Sequence, residues 1–337
     1  MLNSSVLVIL FTFLLSFICT RYYRSFAIKK DIVANPIIRS LHEHQIPRGG
    51  GVVFSIIFVV TVFVLGLLNI FKFEFLMVIG VGGFVASMFG FFDDVVDIRA
   101  LLKLFIQSIL AGWILFWFDG GVLTTVDWLP VWLSWFVSWF LLVWMMNLYN
   151  FMDGVDGIAI SGAVFVSMAL IVVLLIAGEF SSLVLLFSLL AMSCSGFLFY
   201  NWPPASIFMG DSGSVFLGYL FGALIVNTTM TGVISIWTWI VVFGYFFADT
   251  NITILMRILL VKKWYQAHKS HAYQNIARVL KSHVKVTGAI QIYHFLYLLP
   301  ITIWTVLVPN WAPVAAIMAL MPAAIITYCF GPRFSSD

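Results

Sequence analysis

Residues 131–178 read VWLSWFVSWFLLVWMMNLYNFMDGVDGIAISGAVFVSMALIVVLLIAG. Two apolar runs, each near the roughly 20 residues that a bilayer-spanning helix needs, flank a polar knot, NLYNFMDGVDG at 147–157. Lipid offers the backbone no hydrogen-bond partner, so runs of this kind must be helices. The rest of the chain follows suit. Of 337 residues, 63% are hydrophobic and 9% charged, against about 25% charged in a soluble domain. Such a chain cannot clothe a surface in water, which excludes the soluble enzyme classes. The expected fold is all-α, a polytopic membrane bundle forming a single domain over 1–337.

Working outward from the knot, about eleven transmembrane helices are expected, at 2–19, 51–70, 74–92, 101–118, 131–149, 158–178, 181–199, 213–230, 232–249, 287–308 and 312–330. The first run, Val6 to Ile18, lacks a basic leader and a small-residue cleavage site, and reads as a retained helix. Eleven spans put the loops at 20–50, 93–100, 150–157, 200–212 and 250–286 on one side with the C-terminus. Of the 17 Lys and Arg residues, only Lys72 falls opposite. The positive-inside rule then makes this side cytoplasmic, with the N-terminus periplasmic and the C-terminus cytoplasmic. Asp93, Asp94, Asp97, Asp153, Asp156, Asp211 and Asp249 all fall on that side too. Carboxylates at membrane helix ends are costly and mark function. Cys19, Cys194 and Cys329 sit in apolar runs and read as buried small hydrophobes.

Five stretches carry chemistry. In GFFDDVVDIRALLK at 90–103, Asp93 and Asp97 share a helix face with Asp94 beside them. Such a cluster needs a cation, and Mg²⁺ with phosphate oxygens fits. Crowding of this kind also raises a carboxylate pKa toward that of a base. Lys103 suits a phosphate as a point charge. In the knot, Asn147, Asn150, Asp153 and Asp156 recur every third residue, which predicts one polar stripe along a helix ending near Gly154 and Gly157. In FMGDSGSVFLG at 208–218, Asp211 opens a helix whose N-terminus attracts phosphate. In WYQAHKSHAYQNIARVL at 264–280, His268, Lys269 and His271 form a basic knot suited to a diphosphate. In RSLHEHQIPRGGGVVF at 39–54, glycine amides and Arg48 are expected to cradle an anion.

In this order and spacing, the five stretches resemble the polyprenyl-phosphate N-acetylhexosamine-1-phosphate transferases over residues 39–285. N-x-x-N-x-x-D-G-x-D-G at 147–157 is the most specific match, supported by G-F-x-D-D and F-x-G-D-x-G-S. The resemblance implies transfer of a sugar-1-phosphate from a UDP-sugar to a polyprenyl phosphate, with UMP leaving. It implies Asn150 and Asp211 as Mg²⁺ ligands (Mn²⁺ being the substitute), Asp156 at uracil and Asp153 beside the nucleotide. It implies Lys103 at the diphosphate, with Arg48, His268, Lys269 and His271 around diphosphate and sugar. Asp93 and Asp94 match paired aspartates assigned either to Mg²⁺ or to deprotonating the acceptor. One departure stands out: the last motif reads HKSHAYQ at 268–274 instead of a run of histidines. That resembles the subgroup initiating O-antigen and similar surface polysaccharides, whose donors include UDP-FucNAc and UDP-QuiNAc beside UDP-GlcNAc. The implied partners are undecaprenyl phosphate, a UDP-N-acetylhexosamine donor, membrane lipids and a second copy in a homodimer, with no nucleic acid. The implied location is the bacterial inner membrane.

Two rival readings remain at this point. Asp93, Asp94 and Asp97 form a DDxxD that intramembrane prenyltransferases use to hold a diphosphate through Mg²⁺. Buried carboxylates also mark ion paths in secondary transporters, though those sites lie near the bilayer midplane between repeats.

Overall fold

The computed structural model describes residues 2–34, 46–96, 98–123, 130–260 and 268–334. The helices are α1 Leu2–Lys29, α2 Gly51–Leu67, α3 Phe73–Val96, α4 Ala100–Phe118, α5 Val131–Met152, α6 Ile158–Ile176 and α7 Ser182–Asn201. They continue as α8 Asp211–Met230, α9 Ile236–Val242, α10 Gly244–Leu260, α11 Ala272–Leu280, α12 His283–Leu307 and α13 Pro309–Phe330, which opens with a short 3₁₀ turn. Two-residue strands β1 Val33–Ala34 and β2 Ile46–Pro47 pair antiparallel.

All eleven expected segments are helical. Among the described residues, nine helices are long and apolar enough to cross a membrane. The expected span 232–249 is instead a bent pair, α9 and α10, breaking by 80° at Phe243, and counts as a tenth if the two halves form one span. The expected span 51–70 is the 17-residue α2, shorter than the nine spanning helices. α1 runs to Lys29, past the apolar stretch, with Arg21 and Arg24 exposed on its polar last turns.

α8 is the axis of the bundle. It packs against α2, α3 and α5, and every residue from Ser212 to Val226 is buried. A helix that is apolar all round belongs in a core. Without a hydrophobic drive between helices in lipid, close backbone packing does the work, and small residues permit it. A Cβ at Gly218 would stand 2.4 Å from the Met145 carbonyl oxygen on α5, and one at Gly51 would stand 2.2 Å from the Gly213 nitrogen. Serines add polar ties: Ser16 Oγ donates to the Ser193 carbonyl and Ser193 Oγ to the Phe54 carbonyl, both at 2.6 Å, linking α1, α7 and α2. Contacts described below bring Asp93, Asp94, Asp153, Asp156, Asp211 and Asp249 to one end of this bundle.

Candidate active site

α8 begins where Gly210 (φ 73°, ψ −177°) turns the chain in a conformation that only glycine adopts readily. Asp211 is the first helical residue. Its Oδ1 accepts from Asn150 Nδ2 at 2.7 Å, and its Oδ2 lies 3.3 Å from Lys103 Nζ. Asn150 Nδ2 also reaches Ser214 Oγ at 3.2 Å. Lys103 Nζ sits 2.5 Å from Asp93 Oδ2, while Asp93 Oδ1 accepts from the Ile98 amide at 2.8 Å. Asp93, Lys103, Asn150 and Asp211, separated by up to 118 positions in the chain, thus form one cluster (93 to 211). Asp94 is turned away from it. Its two oxygens accept the amides of Asp211 and Ser212 at 2.9 and 3.0 Å. Asp97 lies outside the described residues.

The expected polar stripe of the knot does not form. α5 ends at Met152, with Asp153 as its C-cap (φ −90°, ψ 38°), so only Asn147 and Asn150 lie on the helix. Asn147 Nδ2 donates to Gln107 Oε1 at 2.8 Å and fastens α5 to α4. Asp153 stays near the cluster: burial, then the negative charges of Asp211 and Asp94, push its carboxyl well above the usual carboxylate range. Asp156, beyond the turn, is enclosed. Its Oδ2 accepts the Ala205 amide at 3.0 Å and its Oδ1 lies 3.1 Å from His283 Nδ1. Thr287 Oγ1 donates to the Asp156 carbonyl at 2.7 Å. The period of three fails because Gly154 and Gly157 break the helix inside it.

The glycine run also differs from expectation. The Gly50 and Gly51 amides donate to the Phe208 and Met209 carbonyls at 3.0 and 2.8 Å, so these two amides are spent on protein. Arg48 is half-buried, and its charge acts on Asp94.

The basic knot divides. Lys269 is exposed. His271 is 1% exposed, with its Nδ1 3.7 Å from Asp249 Oδ1. The rings of His268 and His271 stack at 5.1 Å, with Phe151 alongside at 6.2 and 5.8 Å. Burial, then the neighbouring His271 and Arg257, lower His268 to about 4, so its imidazole is neutral at pH 7. Toward a ligand it would offer a hydrogen-bonding ring and not a cation.

Tyr273, His283 and Ser214 were not singled out from sequence, and Asp249 was noted only as one of the seven aspartates on the acidic side. Asp249 closes the start of α11, accepting the Ala272 amide at 3.1 Å. Tyr273 Oη donates to the Phe151 carbonyl at 2.6 Å and accepts the Gly154 amide at 3.1 Å, fastening α11 to the knot. His283 and Ser214 join as described. Tyr273 follows the histidine stretch directly, so its neighbourhood was a signal. His283 carried none.

The Asp93 and Asp211 carboxylates both lie against Lys103 Nζ, at 2.5 and 3.3 Å. Two carboxylates this close require a proton or a cation between them, and the Lys103 ammonium supplies one. The oxygens on offer are hard ligands suited to Mg²⁺ or Mn²⁺. Among the described residues, no three His, Cys, Asp or Glu side chains form a metal cage by themselves. A cation here would therefore be completed by phosphate oxygens and water, as Mg²⁺ commonly is.

The model of Glycosyl transferase family 4 matches residues 76–229, which contain the whole Asp93, Lys103, Asn150 and Asp211 cluster. The chain is 30% identical over 315 residues to a probable undecaprenyl-phosphate N-acetylglucosaminyl 1-phosphate transferase of Bacillus subtilis, covering 88% of this chain and 85% of the relative. It is 30% identical over 233 residues to a phospho-N-acetylmuramoyl-pentapeptide-transferase of Streptococcus pneumoniae, covering 63% and 70%. With the motifs in order, the side chains gathered and similarity across most of its length, the chain belongs to the polyprenyl-phosphate hexosamine-1-phosphate transferase family.

Proposed function

We propose that this protein transfers N-acetylhexosamine-1-phosphate from a UDP-sugar to undecaprenyl phosphate, giving undecaprenyl-diphospho-sugar and UMP. The observation that carries the reading is the cluster of Asp93, Lys103, Asn150 and Asp211 at one end of an apolar bundle. A lipid acceptor needs an intramembrane site and a soluble donor needs one open to water; a helix end supplies both. Family membership removes the prenyltransferase and transporter readings. The lysine and arginine distribution supports a cytoplasmic active site in the bacterial inner membrane.

In the reaction, an oxygen of the lipid phosphate attacks the β-phosphorus. The bond from that phosphorus to the bridging oxygen breaks, and UMP leaves with the oxygen. Asp211 and Asn150 would hold Mg²⁺, which neutralises charge on the phosphates. Lys103 brings a fixed positive charge to the diphosphate. Asp93, in contact with Lys103, would take a proton from the acceptor phosphate. Asp153, Arg48, Lys269 and the His268 ring line the donor side, with His271 behind the ring. Asp156 shapes the uracil end from its enclosed position.

The donor is a UDP-N-acetylhexosamine. The B. subtilis relative's name favours GlcNAc, and the HKSHAYQ stretch favours FucNAc or QuiNAc. The step would initiate an O-antigen or similar surface polysaccharide. The test is UMP release by purified protein with undecaprenyl phosphate, Mg²⁺ and a panel of UDP-GlcNAc, UDP-FucNAc and UDP-QuiNAc. Release that needs the lipid and vanishes in Asp211→Asn supports the reading and identifies the sugar. Release indifferent to the lipid would sink it.

A further inference from the structure

We propose that Asp94 is a positioning residue, which clamps the first turn of α8 and thereby sets where the Asp211 carboxylate stands. The inference rests on the reading of Asp211 as a cation ligand.

A helix begins with four amides that have no intrahelical partner, and a side chain next to the helix start usually serves them. α8 has no such side chain: its N-cap is Gly210, and no local side-chain bond closes the turn. The acceptor comes from α3. Asp94, 5% exposed, takes the Asp211 amide on one oxygen and the Ser212 amide on the other. Its negative charge also lies at the positive end of the α8 dipole.

The neighbouring backbone is shaped around this contact. A Cβ at Gly90, on α3, would stand 2.1 Å from the Asp211 carbonyl oxygen. One at Gly210 would stand 2.4 Å from Asp94 Oδ1. Glycine at both places lets α3 and the start of α8 approach until the carboxylate meets the two amides. The amide that Asp94 holds belongs to Asp211 itself. Fixing that peptide directs the Asp211 side chain to Asn150 and Lys103.

Asp93 and Asp94 are adjacent, so on a helix they point about 100° apart. Asp93 contacts Lys103 within the cluster, and Asp94 supports the cluster from behind. The paired aspartates therefore do different work.

The test uses the full-length protein in detergent with two readouts that need no turnover. The first is amide hydrogen exchange, without metal, in peptides covering Asp211 and Ser212. The second is Mn²⁺ binding followed by electron paramagnetic resonance, without substrate. Asp94→Asn is expected to speed exchange at these amides by on the order of tenfold, as loss of charged hydrogen bonds does. It should also weaken Mn²⁺ binding by a similar factor, recoverable with excess Mn²⁺. Asp93→Asn should leave that exchange unchanged. Gly210→Ala keeps the carboxylate but crowds it, and should give the same two signatures if Asp94→Asn does not fold.

Wild-type exchange in Asp94→Asn would overturn the clamp. So would accelerated exchange with normal Mn²⁺ binding, where Asp211→Asn abolishes binding. Normal Mn²⁺ binding in Asp211→Asn would overturn the ligand reading of Asp211, while accelerated exchange in Asp94→Asn would still uphold the clamp.

Discussion

At two places in the bundle, a buried aspartate on one helix receives the first amides of another. Asp94 does so for α8, and Asp249 for α11, where the Ala272 amide lies at 3.1 Å and the Tyr273 amide at a weaker 3.5 Å. The device is shared, but what each helix start carries is not. Behind Asp249 stand the rings of His271 and Tyr273, and Thr253 Oγ1 adds a bond at 3.2 Å. That end is filled and enclosed. Beyond Asp94 stand Asp211, Asp93 and Asp153, which with Asp94 make four carboxyl groups against the two cations Lys103 and Arg48, a crowding that leaves Asp153 holding its proton above the usual range. The same cap thus builds scaffold in one place and presents surplus negative charge in the other. Surplus negative charge held at a helix end suits the cation proposed above.

The largest effect that would sharpen this contrast is at Asp211. Asp211→Asn should lower kcat for UMP release by on the order of 10²–10³, as loss of a transition-state electrostatic contact does. Its thermal unfolding midpoint should stay near that of the parent. A variant inactive only because it melts would put Asp211 with the scaffold and break the comparison.

Asp249→Asn should behave in the opposite sense. Asparagine keeps one acceptor oxygen but sets an NH2 group against the second amide, and a buried amide left without its acceptor costs about 1–3 kcal/mol, so chemical denaturation should reveal a clear loss of stability. A stable but inactive Asp249→Asn would show that both ends serve the reaction.

The surplus charge should also appear in the pH dependence. Asp153 keeps its proton to a higher pH when folded than when unfolded. Its contribution is therefore most favourable below the usual carboxylate range, and stability falls as pH rises from there toward the folded value. The slope is at most about 1.4 kcal/mol per pH unit. Metal-free protein should melt higher at mildly acidic than at neutral pH, and Asp153→Asn should flatten that slope. A parent protein with no such slope would mean that Asp153 carries its charge without strain.

Smaller still is Tyr273→Phe, which removes the hydroxyl joining Phe151 and Gly154. About 1 kcal/mol of stability should go, with a higher donor KM and unchanged kcat. At the bottom of the scale, His268→Gln should leave the salt dependence of donor binding unchanged, because the imidazole is already neutral at pH 7. A steep change there would restore His268 as a cation.

Much of the site was legible in the sequence. Asn150 and Asp211 were singled out together and their side chains meet at 2.7 Å. Lys103, suspect as a charge inside an apolar run, reaches both Asp93 and Asp211. Residues adjacent in the chain were harder to tell apart. Asp93 and Asp94 are chemically identical, and only the arrival of α8 from far along the chain distinguishes them. The glycine run at 49–51 looked like an anion cradle, yet two of its amides face the carbonyls of 208–209. Asp156 and His283, 127 positions apart, meet only because α12 returns to the turn after α5.

By itself, then, the sequence determined which segments are helical, which end of them is acidic, and which family the chain resembles. These follow from local quantities: apolar length against the thickness of a bilayer, and side-chain type at a given spacing. The tertiary structure alone decided that the span at 232–249 bends at Phe243, that the stripe from Asn147 to Asp156 splits three ways, and which carboxylates close helices. Each of those outcomes depends on which backbone amide or charge comes to stand opposite a side chain. That is settled by the packing of segments far apart in the chain, on which local pattern has no bearing.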